Sequence, residues 1–347
     1  MTDLLRRPSR SDVLTVGVDI GGTKIAAGCV TADGVVVDRT RRRTPDLSTA
    51  PSVVEDTIVD AVRELAGRNR VLAVGIAAAG FVAADRRTVL FAPHLSWRRE
   101  PLRDALYGRL RLPVVVENDA NASAWAEWRF GAGRGESHLV VVNLGTGIGG
   151  AVLVGGVVQR GRYGIAGEFG HMQVVAGGHR CECGNRGCWE QYASGNALVR
   201  EARALAASGS PTAHALLRAA GGDPTAITGP LVSEVATAGD PAAAELLAEV
   251  GEWLGVGIAN LVAAYDPGRV VVGGGVSEAG ELLLAPTRRA FSRSLTGRGF
   301  RPEADVVAAR LGNDAGVVGA ADLARPFARR LARARYRREQ ARAARPD

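Results

Sequence analysis

Residues 13–40 read VLTVGVDIGGTKIAAGCVTADGVVVDRT, and this stretch decides the fold. Its opening, Val13–Ile20, is a short valine-rich apolar run, the pattern of a buried strand. GGTK then turns the chain, IAAGCV continues as a second strand, TADG is a tight-turn signal, and VVVDRT is a third strand, so the whole is a three-stranded meander. The same order returns at His138–Arg160, where LVVVNL leads into GTGIGG, then AVLV, a GG turn and VVQR. Each copy carries a polar residue, Asp19 or Asn143, just before its glycine turn, and each turn contains a threonine, Thr23 or Thr146. The two copies share little identity but the same order and spacing, which reads as an internal duplication. Two related lobes with a cleft between them are expected.

Outward from these copies, strands and helices alternate. Pro51–Leu65 has helical apolar spacing, Val71–Ala78 reads as a buried strand, Pro101–Leu110 as a helix and Val114–Val116 as a short strand. Asn121–Phe130 reads as a helix capped from the Asp119–Asn121 region. Asn196–Ala207 and Pro241–Tyr265 are helical, the latter ended by Asp266-Pro267-Gly268. Val270–Val272 is a strand running into GGGVS, and Ala315–Leu323 is a helix of small residues. The class is therefore α/β. The expected division is a small lobe over 13–119 with the helix at about 313–325 packing back on it, a large lobe over 120–312, a disordered stretch 1–12 and a basic tail 326–347.

At 347 residues two domains with sizeable cores are expected, and 46% apolar with 23% charged residues is ordinary for a soluble globular chain. No apolar run is expected to reach the roughly 18 residues that cross a bilayer. The opening MTDLLRRPSRSD lacks the apolar core of a signal peptide. Both point to the cytoplasm, with no membrane partner. The net charge of +7 is carried by the tail, where nine arginines from Arg325 onward face only Glu339 and Asp347. The remaining body is neutral, which argues against sequence-specific nucleic-acid binding. Lys24, in the first glycine turn, is the single lysine among 43 basic residues; a compact ammonium there suits a phosphate.

Three segments carry chemistry. A strand that turns through Gly-Gly-Thr exposes backbone N–H groups able to cradle phosphate oxygens. A single such turn is an ordinary hairpin, but two equivalent ones plus a third glycine-rich strand end at Gly273–Gly275 fit a bound nucleotide. No GxxxxGK[ST] is present, so this is not a Walker A loop. The second segment, Glu117-Asn118-Asp119-Ala120-Asn121, follows a strand and precedes a helix. Asp119 suits a base that takes a hydroxyl proton during phosphoryl transfer, and Asn118 offers a donor and an acceptor to hydroxyl groups. Read locally the same segment is a helix cap, and both readings stay open.

The third segment, Gly167–Glu190 (GEFGHMQVVAGGHRCECGNRGCWE), is the most specific. Cys181, Cys183 and Cys188, with His171 ten residues before the first, form a Cys3His set suited to tetrahedral zinc. An odd cysteine count in a reducing compartment speaks against a disulfide. No ligand position is left for water, so the zinc is expected to be structural. His179, two residues before Cys181, would close a cramped loop. Glu168 and Glu190 flank the set and could accept hydrogen bonds from vicinal hydroxyls. Cys29 reads as a plain buried residue, and His94, near Trp97, as a turn residue.

Together these segments resemble the ROK family of bacterial sugar kinases and sugar-responsive repressors, and within it the actinobacterial glucokinases. The match runs from VGVDIGGTK to about LGNDAGVVGAA. AGEFGHM with CECGNRGCWE looks like the family's zinc signature, DIGGTK and NLGTGIGG like its two phosphate motifs, and VVVGGGVS like its adenosine-side turn. The resemblance implies an actin/hexokinase/Hsp70-like (ribonuclease H-like) two-lobe fold. It implies ATP-dependent phosphorylation of a hexose, glucose to glucose 6-phosphate above others, by a homo-oligomer (dimer or tetramer). Asp119 would be the base; Gly80, Asn118, Asp119, Glu168, His171 and Glu190 would contact the hexose. Asp19, Gly21, Gly22, Thr23, Lys24, Thr146, Gly147, Gly274 and Gly275 would hold ATP, with Mg²⁺ near Asp19. Ala83 and His94 depart from the residues many members carry, Asp and Asn, which bears on sugar identity. Kinases of other hexoses or N-acetylhexosamines fit the same pattern. So does a repressor, although only about a dozen residues precede the first strand, too few for the helix-turn-helix domain of family repressors.

Overall fold

The structure, a computed structural model, describes residues 14–328. The N-terminal stretch 1–12 and all but the first three residues of the basic tail lie outside the described residues. The chain divides into two compact units. Unit 1 comprises residues 1–130, 160–166 and 314–347, and unit 2 comprises 131–159 and 167–313.

Unit 1 opens with the meander β1 (Leu14–Ile20), β2 (Lys24–Val30) and β3 (Val36–Arg43), followed by α1 (Pro51–Arg68) and β4 (Val71–Ala78). A small meander, β5 (Phe81–Val82), β6 (Val89–Phe91) and β7 (Arg98–Glu100), leads to α2 (Leu102–Leu110), β8 (Val114–Asn118) and α3 (Asp119–Phe130). The main sheet has the order β3-β2-β1-β4-β8, in which β1, β4 and β8 run parallel. Helix α1 starts on Pro51 and buries Val54, Ile58, Val62 and Leu65, a stripe at three- and four-residue spacing that covers the sheet.

Unit 2 repeats the plan with β9 (His138–Leu144), β10 (Ile148–Val154) and β11 (Val157–Val158). Then come α4 (Glu190–Ala193), α5 (Gly195–Ala207), α6 (His214–Ala219), α7 (Gly229–Thr237), α8 (Pro241–Tyr265), β12 (Arg269–Gly273), α9 (Glu281–Ser294) and β13 (Asp305–Ala308). Its sheet order, β11-β10-β9-β12-β13, matches that of unit 1, and β9, β12 and β13 are the parallel strands. The repeat is one residue shorter at its turn: Ile20 pairs with Ile25 across the first hairpin, and Leu144 with Ile148 across the second.

A last helix, α10, is described over residues 315–328 and belongs to unit 1. It lies against β1 and β4 at backbone distance: a Cβ added at Gly17 would meet the Val317 carbonyl oxygen at 1.8 Å, and one at Gly75 the Ala320 oxygen at 1.8 Å. No side chain fits there. Gly75→Ala is therefore expected to lower the unfolding free energy by about 1–3 kcal/mol or more through overpacking; urea denaturation checks it, and an unchanged midpoint contradicts the packing. In unit 2, Gly251 and Gly255 give α8 and α9 the same closeness, with added Cβ atoms 2.7 Å from Leu283 O and 2.4 Å from Thr287 O.

Three expectations need correction. Helix α3 sits in unit 1, so the division falls after residue 130 rather than 119. The cause is long-range: Trp125 Nε1 donates to Asp322 Oδ2 at 2.9 Å, and Gly319 of α10 lies against the Ala122 carbonyl. Residues 160–166 also return to unit 1, where Arg160 reaches Glu117. Lastly, α8 is 25 residues long with a mean hydropathy of 1.4 over an 18-residue window, enough by length and composition to cross a membrane. In unit 2 it is the core helix, and 61% of that window is buried.

Candidate active site and metal centre

In unit 1 the strand order gathers the site. The parallel neighbours β1, β4 and β8 end at Ile20, Ala78 and Asn118, so Asp19, Gly80, Asn118 and Asp119 collect at one carboxyl-terminal edge, where ligands of such sheets bind. Asn118 Nδ2 donates to Gly80 O and to Asp119 Oδ1, both at 3.1 Å. Its Oδ1 accepts the Asn121 N–H at 3.0 Å. Asn118 therefore caps α3 and holds the Asp119 carboxylate through the same side-chain amide.

Asp119 Oδ1 also accepts the Ala120 N–H at 3.0 Å. Burial pushes this carboxyl up to about 6, with the N–H groups of Ala120 and of Asp119 itself pulling it back. Asp19 is pushed higher, to about 7, by burial and by the Asp119 charge, against the pull of Lys24. Between about pH 4 and 7 the folded protein thus holds a proton on Asp19 that the unfolded chain releases, so ionising it costs stability as pH rises. Asp19→Asn is expected to stabilise the ligand-free protein at pH 8 by on the order of 2–4 kcal/mol, the gain fading toward pH 4. Calorimetry at the two pH values reads this; equal stability at pH 8 removes the repulsion.

The first glycine turn is braced from its own unit. Gly21 N–H donates to Lys24 O at 3.0 Å, Thr44 Oγ1 to Gly21 O at 2.7 Å and Thr44 N–H to Thr23 O at 3.1 Å. Gly22, Thr23 and Lys24 remain exposed. His94 lies over the turn: a Cβ at Gly22 would stand 3.1 Å from His94 Cβ. Its loop is held by Arg98, whose Nη1 donates to the carbonyls of Ala92, Leu95 and Trp97 at 2.8, 3.0 and 2.7 Å. Sequence reasoning missed Thr44, Arg98 and Gly316, where a Cβ would come within 2.6 Å of Asp19 Oδ2 at the start of α10. It also missed the partners of Glu117, which is 2% exposed and ion-paired with Arg86 and Arg160.

In unit 2 the second turn, Gly145–Gly147, is tied to the start of α5: Gly195 N–H donates to Gly145 O at 2.9 Å and Asn196 N–H to Thr146 O at 3.3 Å. Gly274, at φ +85°, packs so tightly on Leu144 that a Cβ would meet its carbonyl oxygen at 2.3 Å. Gly147, Gly274 and Gly275 are thereby collected around one strand end, and Thr146 is exposed.

The ligand atoms of His171, Cys181, Cys183 and Cys188 all lie within 4.8 Å of one another, a group that could hold a metal ion. Cys183 and Cys188 Sγ are 3.6 Å apart, and Cys181 Sγ is 3.6 Å from His171 Nδ1. Tetrahedral ligands at metal–sulfur bonds of about 2.3 Å stand roughly 3.7 Å apart, so the group fits. Gly187 lets the loop close, since a Cβ there would fall 1.6 Å from Val175 O. His179 is not in the group; its N–H donates to the Tyr192 hydroxyl at 2.9 Å. Cys29 is buried in β2, and burial lifts its thiol to about 11.

The flanking carboxylates differ. Glu168 precedes the short turn Phe169–His171 and accepts the His171 N–H on its backbone oxygen at 3.2 Å. Glu190 joins the metal group to the second turn: Oε1 is 3.2 Å from Cys181 Sγ and 3.4 Å from His171 Nδ1, while Oε2 faces the Ile148 N–H at 3.5 Å. Spacing alone placed Glu190 near the cysteines but did not show that second contact.

Comparison with known proteins follows the same lines. The model of the ROK family matches residues 15–326. The glucokinase of Streptomyces coelicolor is 48% identical over 312 residues, 90% of this chain and 98% of that protein. Among solved structures, a ROK family glucokinase from Streptomyces griseus in complex with glucose and AMPPNP is 50% identical with a TM-score of 0.84, covering 90% of this chain and 99% of that one. A ROK hexokinase from Thermus thermophilus is 34% identical with a TM-score of 0.71, covering 90% of this chain and 98% of its own.

Proposed function

The chain belongs to the ROK family, and from that premise we propose that it is a sugar kinase that moves the γ-phosphoryl group of ATP to the primary hydroxyl of glucose. The fold is the α/β, actin/hexokinase-like one that the sequence implied. One observation carries the reading to glucose: the chain is 50% identical, over 90% of its own length and 99% of the other's, to a glucokinase solved with glucose and an ATP analogue.

The roles of the residues follow from phosphoryl-transfer chemistry, which needs an oriented hydroxyl, a base and neutralised phosphate charge. Asp119, aimed by Asn118, takes the hydroxyl proton. A carboxylate is a weak base for an alcohol, so the proton moves late, as the bond to phosphorus forms. Gly80 supplies the carbonyl that holds Asn118, and Glu168, His171 and Glu190 accept or donate hydrogen bonds to sugar hydroxyls. Lys24 and the N–H groups of Gly21–Thr23 meet the phosphates of ATP, as do Thr146 and Gly147, while Gly274 and Gly275 pack against the adenosine.

Two ions complete the reading. The paired carboxylates Asp19 and Asp119 carry more negative charge than Lys24 offsets, which suits a divalent cation at Asp19. Mg²⁺ there supplies charge neutralisation to the phosphates. Zinc in the Cys3His group supplies no chemistry; it orders the loop that carries Glu168 and Glu190. We further propose a cytoplasmic homo-oligomer, dimer or tetramer.

A coupled ADP-release assay across glucose, mannose, fructose and N-acetylglucosamine, with sugar phosphate formation followed directly when polyphosphate replaces ATP, tests the assignment. Glucose with ATP is expected to give the highest kcat/KM. A higher value for another sugar or donor moves the assignment to that pair.

A further inference from the structure

Apart from the residues above, unit 1 holds a cavity of about 270 Å³ lined by Arg86, Arg103, Tyr107, Val115 and Phe327, with Asp85 beside them. Arg86 is the unusual member. Its backbone is left-handed at φ +56°, uncommon for a residue with a side chain. Its Nε and Nη2 are buried without a hydrogen-bond partner among the described residues. Buried donors are nearly always satisfied, so such a pair marks a missing partner.

The charges explain why Glu117 is not enough. Arg86 Nε stands 3.2 Å from Glu117 Oε2, but Arg160 takes the same carboxylate through Nε at 2.9 Å and Nη2 at 2.6 Å, and Asn121 Nδ2 takes Oε1 at 3.2 Å. Two guanidinium groups thus share one carboxylate. The pattern repeats at Arg103, whose Nε reaches Asp104 Oδ1 at 3.4 Å while Arg87 holds Asp104 Oδ2 at 2.8 Å. Asp85 is engaged through Oδ1 by the Arg87 N–H at 2.9 Å. Of these charged groups Arg86, Arg103 and Asp85 line the cavity, so two guanidinium groups face one carboxylate there, beside Tyr107, Val115 and Phe327.

We propose that this cavity binds a small organic anion, a carboxylate or phosphate monoester on a short hydrocarbon body, with the charged end at Arg86 and Arg103 and the body against Tyr107, Val115 and Phe327. Arg86 is joined through Glu117 to the strand end that carries Asn118 and Asp119, so the site adjoins the catalytic edge without using its residues. The inference rests on the cavity alone and stands whichever sugar the enzyme prefers.

Isothermal titration of the full chain, saturated with ADP and glucose, tests it with four probes: butyrate, butyl phosphate, inorganic phosphate and n-butanol. One saturable site for butyrate or butyl phosphate is expected, whichever binds more tightly naming the head group. Inorganic phosphate and n-butanol should bind about tenfold more weakly or not at all, because each lacks half of the match. Arg103→Gln and Tyr107→Ala, both on partly exposed side chains, should each weaken the binding by about tenfold while keeping the fold; Arg86→Gln is the stronger variant where it folds. No saturable binding of either anion overturns the proposal, as does equal binding of n-butanol or inorganic phosphate, or unchanged affinity in both exposed variants.

Discussion

Asp119→Ala is expected to lower kcat by about 10²- to 10⁴-fold or more, with glucose affinity largely kept. Phosphoryl transfer leaves the protein few chemical tasks, and accepting the hydroxyl proton is the one proposed for Asp119. Only the ionised carboxylate can act. Burial holds it near 6, so activity should fall as pH drops through about 6, and Asp119→Asn should lose that acid limb along with most of the rate. Asp19, held near 7 and interacting with Asp119, makes the nucleotide-free profile a two-step titration of the pair. A pH–rate series on the wild type and both variants, with glucose binding followed separately, is decisive. Near-wild-type kcat in the alanine variant would remove Asp119 from the mechanism.

The second large effect is expected at the metal group. Cys183 is the exposed cysteine of the three, so Cys183→Ser opens no cavity and changes little but the ligand set. Metal content should fall from about one zinc per chain to nearly none at submicromolar free zinc, since a serine hydroxyl is a poor ligand and structural sites depend on all four. With the loop released, Glu168, His171 and Glu190 lose their positions. The KM for glucose should rise about tenfold or more, and the KM for ATP less, through the weaker Glu190 contact to the Ile148 N–H. Emission spectroscopy of the purified variant together with both KM values tests this. Full metal content, or lost metal with an unchanged sugar KM, would dissociate the loop from sugar binding.

Sequence and structure agree where the information is local. The two hairpins were legible because a strand, a glycine turn and a returning strand lie within about 30 residues, and alternation of buried runs with turn residues marks each. The Cys3His set was legible because its ligands are close in sequence and chemically unmistakable. Other elements escaped the same reading. The strands β5 to β7 have two or three residues each, too few for any period to show. Helix α9 hides behind Pro286, a breaker in its interior that is accommodated where Gly251 of α8 lets the two helices close.

What the chain determined by itself, then, was the repeated turn-bearing meander, the metal-ligand quartet and the identity of Asp119 as a strand-end carboxylate. Tertiary structure alone decided which groups surround them. The repulsion between Asp19 and Asp119 exists because β1, β4 and β8 are laid side by side by crossover connections. The seat of α10 depends on Arg325 reaching Thr15, 310 residues away, and on glycines whose missing side chains have meaning only against the opposing backbone. A turn or a ligand set is written in neighbouring residues, whereas desolvation, charge pairing and close packing are properties of what comes to lie next to a residue after the chain has folded.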